Sequence, residues 1–182
     1  MLGVNGAFFV DEKFVSNFEF KYKYFMLARL ICNVKNYAEN YGVTAKILNA
    51  DYLGNYFLGL FEVGEKYFLS IDNVENPKII DIPLELKGKY YKSRKSSFKK
   101  SCSSDLFNKL IENGLYEDIN AGKNNIDSPF LLHRLCLCIS EKIIGLRVHH
   151  RNNMTKYNFK SNLEAVTKDK HKEYHRGEKR PV

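Results

Sequence analysis

Histidines are concentrated in one part of the sequence. Four of the five, at positions 149, 150, 171 and 175, fall within a window of 27 residues, where an even distribution would place fewer than one. A neutral imidazole binds metal ions, and near neutral pH it also accepts protons as a general base. The excess therefore indicates metal binding, acid–base catalysis or both.

The spacing divides these histidines into two kinds of pair. His171 and His175 are four residues apart, so on a helix they share one face and can reach one ion together. His149 and His150 are adjacent, and neighbouring side chains of a strand point to opposite faces. The doublet therefore cannot easily hold one ion. Either each histidine has its own role, or the doublet is an accident of a basic surface.

The surrounding residues predict two strands and a helix. IIGLRVHH predicts a strand after Gly145, RNNMTKYNFKS a polar loop, and NLEAVT a second short strand. Thr167 is a good N-cap, and Gly177 a good C-terminal stop, for the helix KDKHKEYHR. A unit of about 35 residues is too small to be stable by apolar burial alone. A bound metal, or packing on the preceding domain, must supply the missing stability.

The window LRVHHRNNMTKYNFKSNLEAVTKDKHKEYHRG resembles the HNH endonuclease motif, also called the His-Me or ββα-metal finger. That pattern has an Asp/His-His pair ending the first strand, then Asn-Leu, Thr, and a last His or Asn. The matching residues here are His149, His150, Asn162, Leu163, Thr167 and His171. The phrase LHRL…G…VHH…N…SNLE…T resembles phage and intron-associated homing endonucleases. The ending HKEYHRGEK is similar to bacteriocin DNases of the colicin type, in which a further histidine joins the metal site.

The resemblance implies a role for each matched residue. His149 and His171 would ligate a divalent metal ion, with His175 as the third ligand. His150 would be the general base that deprotonates the attacking water. Asn162 would brace the loop between the strands and so position His150. The implied reaction is hydrolysis of a DNA phosphodiester bond, which leaves 5′-phosphate and 3′-hydroxyl ends.

Two departures from the family pattern concern the cofactor and the loop. The first pair is His-His where homing enzymes often have Asp-His. We therefore expect one divalent ion, Mg²⁺ first, with Zn²⁺, Mn²⁺ and Ni²⁺ as alternatives. The loop lacks the usual Asp-Gly and has RNNMTKYN instead, which leaves its turn geometry open.

The whole chain is predicted to be an α+β protein in three parts. Residues 1–86 predict an α+β domain of unknown role, in which VTAKIL, YFLGLFEV, KYFLSI and KIIDIPL form an antiparallel β-meander. Residues 87–104 predict a basic linker or arm. Residues 105–182 predict a helical lead-in followed by the ββα-metal (HNH) finger, with its core at 143–177. The family resemblance covers about residues 131–180 only.

Three helices are predicted before the finger. FEFKYKYF alternates aromatic and charged residues, which predicts a strand over 18–25 or the first turns of the helix that apolar spacing predicts over 24–41. Short helices are predicted over 105–113 and over 129–142. The last contains His133, which we interpret as a packing residue rather than a ligand.

Charge favours a nucleic acid partner. Residues 1–86 carry 11 acidic and 8 basic residues, whereas residues 147–182 carry 10 basic and 4 acidic ones. A basic second half suggests contact with a polyanion, although a compositional bias towards lysine is the alternative. We therefore expect DNA as the partner, with RNA as a variant. The candidate nucleic-acid contacts are Arg94, Lys95, Arg147, Arg151, Lys156 and Lys160.

Cysteine usage and hydropathy indicate a cytoplasmic protein, in the host cell if it is phage-encoded. The four cysteines show no CxxC pair and no disulfide framework, which predicts reduced thiols. No apolar run approaches the roughly 20 residues of a membrane span, and no signal-peptide core is evident. A homodimer, or a protein partner bound through the N-terminal domain, stays open.

Two alternatives to a nuclease remain. In the first, the finger holds metal and nucleic acid without cutting, as a binding, regulatory or inhibitor module. Alternatively, His149, His171 and His175 form a structural zinc site, and the N-terminal domain carries an unrelated function. The presence of His150 argues against the first alternative, because a purely structural finger does not need that residue.

Overall fold

A computed structural model describes residues 2–3, 9–10, 18–87, 90–116 and 128–176. Within these ranges the chain has the predicted α+β architecture, and its largest sheet is an antiparallel four-stranded meander. Among the helices of these ranges, none combines the length and apolar character needed to cross a membrane. None of the four cysteines, which all lie within these ranges, forms a disulfide.

The first half of the chain forms a long helix packed on the meander. The prediction of a helix over 24–41 is confirmed, but the strand over 18–25 is wrong because one helix spans this whole segment. The alternating aromatic residues form the first turns of the helix, and the later residues Met26 and Leu30 are buried against the sheet. The elements are β1 (Leu2–Gly3), β2 (Phe9–Val10), α1 (Phe18–Tyr41), β3 (Ala45–Leu53), β4 (Tyr56–Val63), β5 (Lys66–Asn73) and β6 (Ile80–Leu84).

Both faces of the meander are buried. The strand order is β3-β4-β5-β6, and β4 contributes alternate residues to two apolar clusters. Phe57 and Phe61 face α1, whereas Leu58 and Leu60 face the second half of the chain. Gly59, on the α1 side, allows close approach of that helix, since an added Cβ would lie 2.9 Å from the Leu30 side chain.

The second half of the chain packs on the other face of the meander. The shared apolar cluster includes Leu60 and Leu69 of the sheet together with Phe98, Leu135 and Val148. The core is therefore continuous across the predicted domain limits. The elements are β7 (Leu86–Lys87), β8 (Tyr90–Arg94), α2 (Lys95–Ser101), α3 (Ser104–Glu112), β9 (Pro129–Leu131), α4 (Leu132–Cys138), β10 (Arg147–His150), β11 (Leu163–Val166) and α5 (Lys168–His175).

The segment predicted as a linker, 87–104, contains a strand and a helix instead. Phe98 on α2 is buried, with its ring 4.5 Å from that of Phe130 and 5.9 Å from that of Phe107. These contacts anchor α2 to the apolar cluster. The basic residues dominate the sequence of this segment, so the composition does not reveal that Phe98 and Cys102 are buried in the apolar cluster.

The two short helices have different limits from those predicted. The helix expected over 105–113 begins one residue earlier, because Ser103 caps it by accepting a hydrogen bond from the Leu106 N–H at 3.2 Å. The helix expected over 129–142 is shorter, since its first residues pair with β8 as strand β9. Pairing with a strand distant in sequence overrides the local helical preference there.

Candidate metal centre and active-site cleft

Strands β10 and β11 place the two adjacent histidines on opposite sides. In the antiparallel ladder, His149 lies opposite Glu164 and His150 lies opposite Leu163. The ring of His149 contacts side chains of α5, whereas the ring of His150 contacts His133 of α4. The alternation of a strand thus gives each histidine of the doublet a different environment.

His149, His171 and His175 converge on one point. One ring nitrogen from each lies within 4.8 Å of the others. The Nε2 atoms of His171 and His175 are 3.3 Å apart. The ring centroid of His149 is 5.7 Å from that of His171 and 5.4 Å from that of His175. The spacing predicted from sequence for this cluster is therefore present, and the cluster can hold a metal ion.

His149 is a buried polar residue without a partner. Its side chain is 1% exposed, and neither ring nitrogen makes a hydrogen bond within the described structure. Such groups are rare, because an unpaired buried polar atom destabilises the fold. Burial, with His171 and His175 nearby, lowers the pKa of His149 to about 4, and burial also lowers the pKa of His171. Both are therefore neutral near pH 7, the form that ligates metals.

Helix α5 is fixed by its cap and by one buried ring. Thr167 accepts a hydrogen bond from the Lys170 N–H at 3.2 Å, which confirms the predicted N-cap. Tyr174 is buried, and its ring centroid lies 4.6 Å from that of His149. The helix ends at His175, while the predicted stop at Gly177 lies outside the described residues.

His150 lies in a second, polar environment on the other side of the strand. Its Nε2 atom is 2.8 Å from Oδ1 of Asn158, and its ring centroid is 5.3 Å from that of His133. Burial lowers the pKa of His150, and the contact with Asn158 opposes this shift. Burial and then the nearby His150 lower the pKa of His133 to about 3, so His133 is neutral near pH 7. Neutral imidazoles can accept protons.

The loop between the strands is braced by Asn162, as predicted. Its Nδ2 donates to the Tyr157 carbonyl at 2.8 Å and to Asn152 Oδ1 at 3.0 Å, and its Oδ1 accepts from the Asn152 N–H at 3.1 Å. Asn153 adopts a left-handed φ of +59°, and its N–H donates to the His150 carbonyl at 2.9 Å. Asparagine tolerates this conformation, which supplies the turn left open by the missing Asp-Gly.

A cleft of about 200 Å³ connects the two histidine environments. Arg134 of α4 helps to shape it, because its guanidinium donates to the Leu146 carbonyl at 2.8 Å and to the Gly114 carbonyl at 3.0 Å. This buried side chain fixes α4 next to the start of β10. The polar lining includes His133, His149, His150, Asn158, His171 and His175.

The predicted nucleic-acid contacts lie around the cleft rather than in it. The Nη1 atom of Arg151 is 3.9 Å from Glu164 Oε2, and Nζ of Lys160 is 3.9 Å from Glu141 Oε1. Lys156 is exposed. The Lys160–Glu141 pair is solvent-exposed on both sides and therefore weak enough to exchange for a phosphate contact, whereas Oε2 of Glu164 is buried. None of the four residues lines the cleft: Arg147, Arg151, Lys156 and Lys160.

Arg94 and Lys95 lie in another part of the second half. Arg94 is exposed at the end of β8, opposite Pro129. Nζ of Lys95 is 4.4 Å from the ring centroid of Tyr116. The structure does not bring these two residues into the cleft lining.

The two residues that contact the ring of His150, His133 and Asn158, were not predicted as site residues from sequence. His133 was interpreted as a packing residue, although it lies in the phrase LHRL that carries part of the family resemblance. Its position beside His150 depends on the packing of α4, which its own sequence does not reveal. Asn158 is one of several asparagines in a polar loop, and no local pattern distinguishes it.

Comparison with protein-family models, with curated protein sequences and with solved structures finds no match for this chain. The resemblance of about residues 131–180 to the HNH motif is therefore not accompanied by a family match. Because a fold alone does not determine a function, the function has to be inferred from the geometry and chemistry of the cleft.

Proposed function

We propose that this protein is a metal-dependent endonuclease of the HNH type that hydrolyses DNA phosphodiester bonds, cutting one strand or both. The proposal rests on one observation: the two adjacent histidines of β10 lie in different surroundings on the two faces of the strand. His149 faces His171 and His175 with its ring nitrogens unpartnered, while His150 faces the same cleft from the other side. A metal ligand beside a general base is the arrangement that phosphodiester hydrolysis needs.

The side chains divide the chemistry between them. His149, His171 and His175 hold the divalent ion, which when bound neutralises charge on the scissile phosphate and the leaving oxygen. His150 accepts a proton from the attacking water as the new P–O bond forms. The 3′-oxygen leaves with the electron pair of the broken P–O bond and takes a proton from solvent. The products are a 5′-phosphate and a 3′-hydroxyl.

The donor set bears on which metal is used. Three imidazoles suit transition metals such as Zn²⁺ and Ni²⁺, whereas Mg²⁺ prefers oxygen ligands. We therefore expect Zn²⁺, Ni²⁺ or Mn²⁺ to bind this cluster more tightly than Mg²⁺, which was the first expectation from the sequence. The unpartnered nitrogens of His149 fit such an ion.

The substrate is proposed from charge. The residues from 147 onwards carry a net positive charge, and exposed Arg151, Lys156 and Lys160 lie on the segment that forms the cleft. Such residues hold phosphates without reading base sequence. DNA is the proposed substrate and RNA the variant to test beside it. Four cysteines without a disulfide suit the reducing cytoplasm as the site of action, as for a phage-encoded or mobile-element enzyme.

Cleavage of supercoiled plasmid tests the proposal. Wild-type protein should produce nicked or linear DNA with Zn²⁺, Mn²⁺, Ni²⁺ or Mg²⁺, and EDTA should stop it. His150→Ala should lower the rate by about 10²–10⁴-fold, because it removes the base, and should leave metal affinity unchanged in calorimetry. Asn76→Ala, on the exposed β5–β6 connection, is the control and should cleave normally.

Two outcomes would contradict the proposal. Tight metal binding without cleavage of DNA or RNA, whichever metal is present, would favour a module that binds metal and nucleic acid without cutting. Cleavage that survives His150→Ala would show that another group acts as the base.

A further inference from the structure

We infer that Asn158 is a positioning residue that fixes His150 with the proton on Nε2 and leaves Nδ1 free to accept a proton. The inference rests on the proposed function, in which His150 is the base. It adds a residue outside the matched motif and defines which atom of His150 reacts.

The hydrogen bond determines the protonation pattern of the ring. Oδ1 of Asn158 lies 2.8 Å from Nε2 of His150, and Asn158 is 4% exposed. An amide oxygen can only accept a hydrogen bond, so Nε2 must donate. A neutral imidazole carries one N–H, and Nδ1 is then unprotonated. Among the described residues no other hydrogen bond engages the ring, so Nδ1 is left for a ligand in the cleft.

Asn158 is itself held in place by the loop brace. The peptide that joins Tyr157 to Asn158 has its carbonyl bound by Nδ2 of Asn162 at 2.8 Å. The Asn162 N–H donates to the carbonyl of Phe159 at 2.9 Å, on the other side of Asn158. These two hydrogen bonds from Asn162 restrict the backbone on both sides of Asn158. Asn162 therefore helps to position His150 indirectly, through the side chain of Asn158.

The competing arrangement is an amide rotated by half a turn. Nδ2 of Asn158 would then donate to Nε2 of His150, and the ring proton would lie on Nδ1. In that case the reactive nitrogen would be blocked by its own proton. The two arrangements differ in which ring nitrogen is protonated, which is directly measurable.

Nitrogen NMR of the histidine rings provides the test. In metal-free protein labelled with ¹⁵N-histidine, at neutral pH, Nε2 of His150 should show the chemical shift of a protonated nitrogen and Nδ1 that of an unprotonated one. His150→Gln assigns the resonances. Asn158→Leu should let the two tautomers average. A protonated Nδ1, or averaged tautomers in wild-type protein, would overturn the inference.

Cleavage kinetics give a second readout. Asn158→Leu, of similar size but without an acceptor, should lower kcat about 10–100-fold while metal affinity stays constant. Asn158→Asp keeps the acceptor oxygen and should recover most of the activity. Equal losses in the two variants, or full activity of Asn158→Leu, would contradict a positioning role. If wild-type protein does not cleave, the proposed function fails, and the ring protonation still decides whether Asn158 orients His150.

Discussion

The four-stranded meander and the unit formed by β10, β11 and α5 are held together in different ways. Both faces of the meander are covered by apolar side chains. Helix α5, in contrast, has a single buried residue, Tyr174, and that ring lies against His149. The strands of the smaller unit add Val148 and Leu163 to the apolar cluster, whereas α5 packs its one buried ring against an imidazole.

The two kinds of burial should respond differently to solution conditions. Apolar burial depends little on ions or protons, so the meander should stay folded over a wide range of conditions. A histidine cluster that holds a metal ion is stabilised by that ion, and protons compete with the ion for the ring nitrogens. The stability of the second region should therefore respond to conditions that leave the first unchanged.

The largest effect is expected from a cavity in the meander. Leu69 on β5 is fully buried, and Leu69→Ala should lower the free energy of unfolding by about 2–5 kcal/mol. The loss should be the same with metal and with EDTA, as measured by urea denaturation. Ile80→Ala, at an exposed position of β6, should cost far less. A metal-dependent loss for Leu69→Ala would mean that the two regions do not differ as described.

Metal addition should stabilise the histidine unit by the next largest amount. At a free Zn²⁺ concentration about 100 times the Kd, the free energy of unfolding should rise by about 2.7 kcal/mol. His171→Ala should abolish this increase, whereas Lys172→Ala, on the exposed side of α5, should keep it. Thermal denaturation with graded Zn²⁺ measures both. An increase that persists in His171→Ala would place the metal elsewhere.

Acid should weaken the fold through His133. Burial lowers the pKa of His133 from 6.5 to about 3, so between these values the unfolded state binds the proton and the folded state does not. The free energy of unfolding should therefore fall as the pH falls below 6.5, by about 1.4 kcal/mol per pH unit for this group. His133→Gln should remove that contribution in urea titrations with EDTA. Parallel pH profiles for variant and wild-type protein would contradict it.

The smallest expected effect concerns the cap of α5. Thr167→Ala should cost about 1 kcal/mol, because the Lys170 N–H loses its acceptor, and Thr167→Ser should restore most of it. Since α5 buries so little apolar surface, the loss should appear as faster amide exchange confined to that helix. Zn²⁺ should slow the exchange again. If Thr167→Ala accelerated amide exchange equally in α3, which Ser103 caps, the loss of stability would not be confined to the histidine unit, contrary to the prediction.

Local patterns sufficed where the partners are close in sequence. The apolar spacing of α1, the four strands of the meander and Thr167 as the cap of α5 were predicted, although the first of these strands continues beyond VTAKIL to Leu53. The convergence of His171 and His175 follows directly from one helical turn. His149 joins them because β11 and α5 follow β10 closely along the chain.

Prediction failed where the partner is distant. Phe98 anchors a segment whose many basic residues suggested a linker, and Pro129 begins a strand because β8 lies beside it. Asn158 is the exception: it lies only eight residues from His150, but no local pattern distinguishes it from the other asparagines of the loop. His133 reaches His150 from a separate helix. Such contacts depend on how elements pack, which neither composition nor periodicity reports.

The register of β10 against β11 also decides which histidine is which. The ladder has four pairs, and a slip of one residue would turn every side chain to the other face. His150 would then meet α5 and His149 would meet His133, each displaced along the strand by about 3.3 Å. Each face of the strand pair would still carry one imidazole, so the types of residue on each face would not distinguish the shifted register from the observed one. The pairing register of the two strands therefore determines which histidine faces α5 and which faces α4. The hydrogen bonds of Asn162 fix the connecting loop and so help to maintain that register.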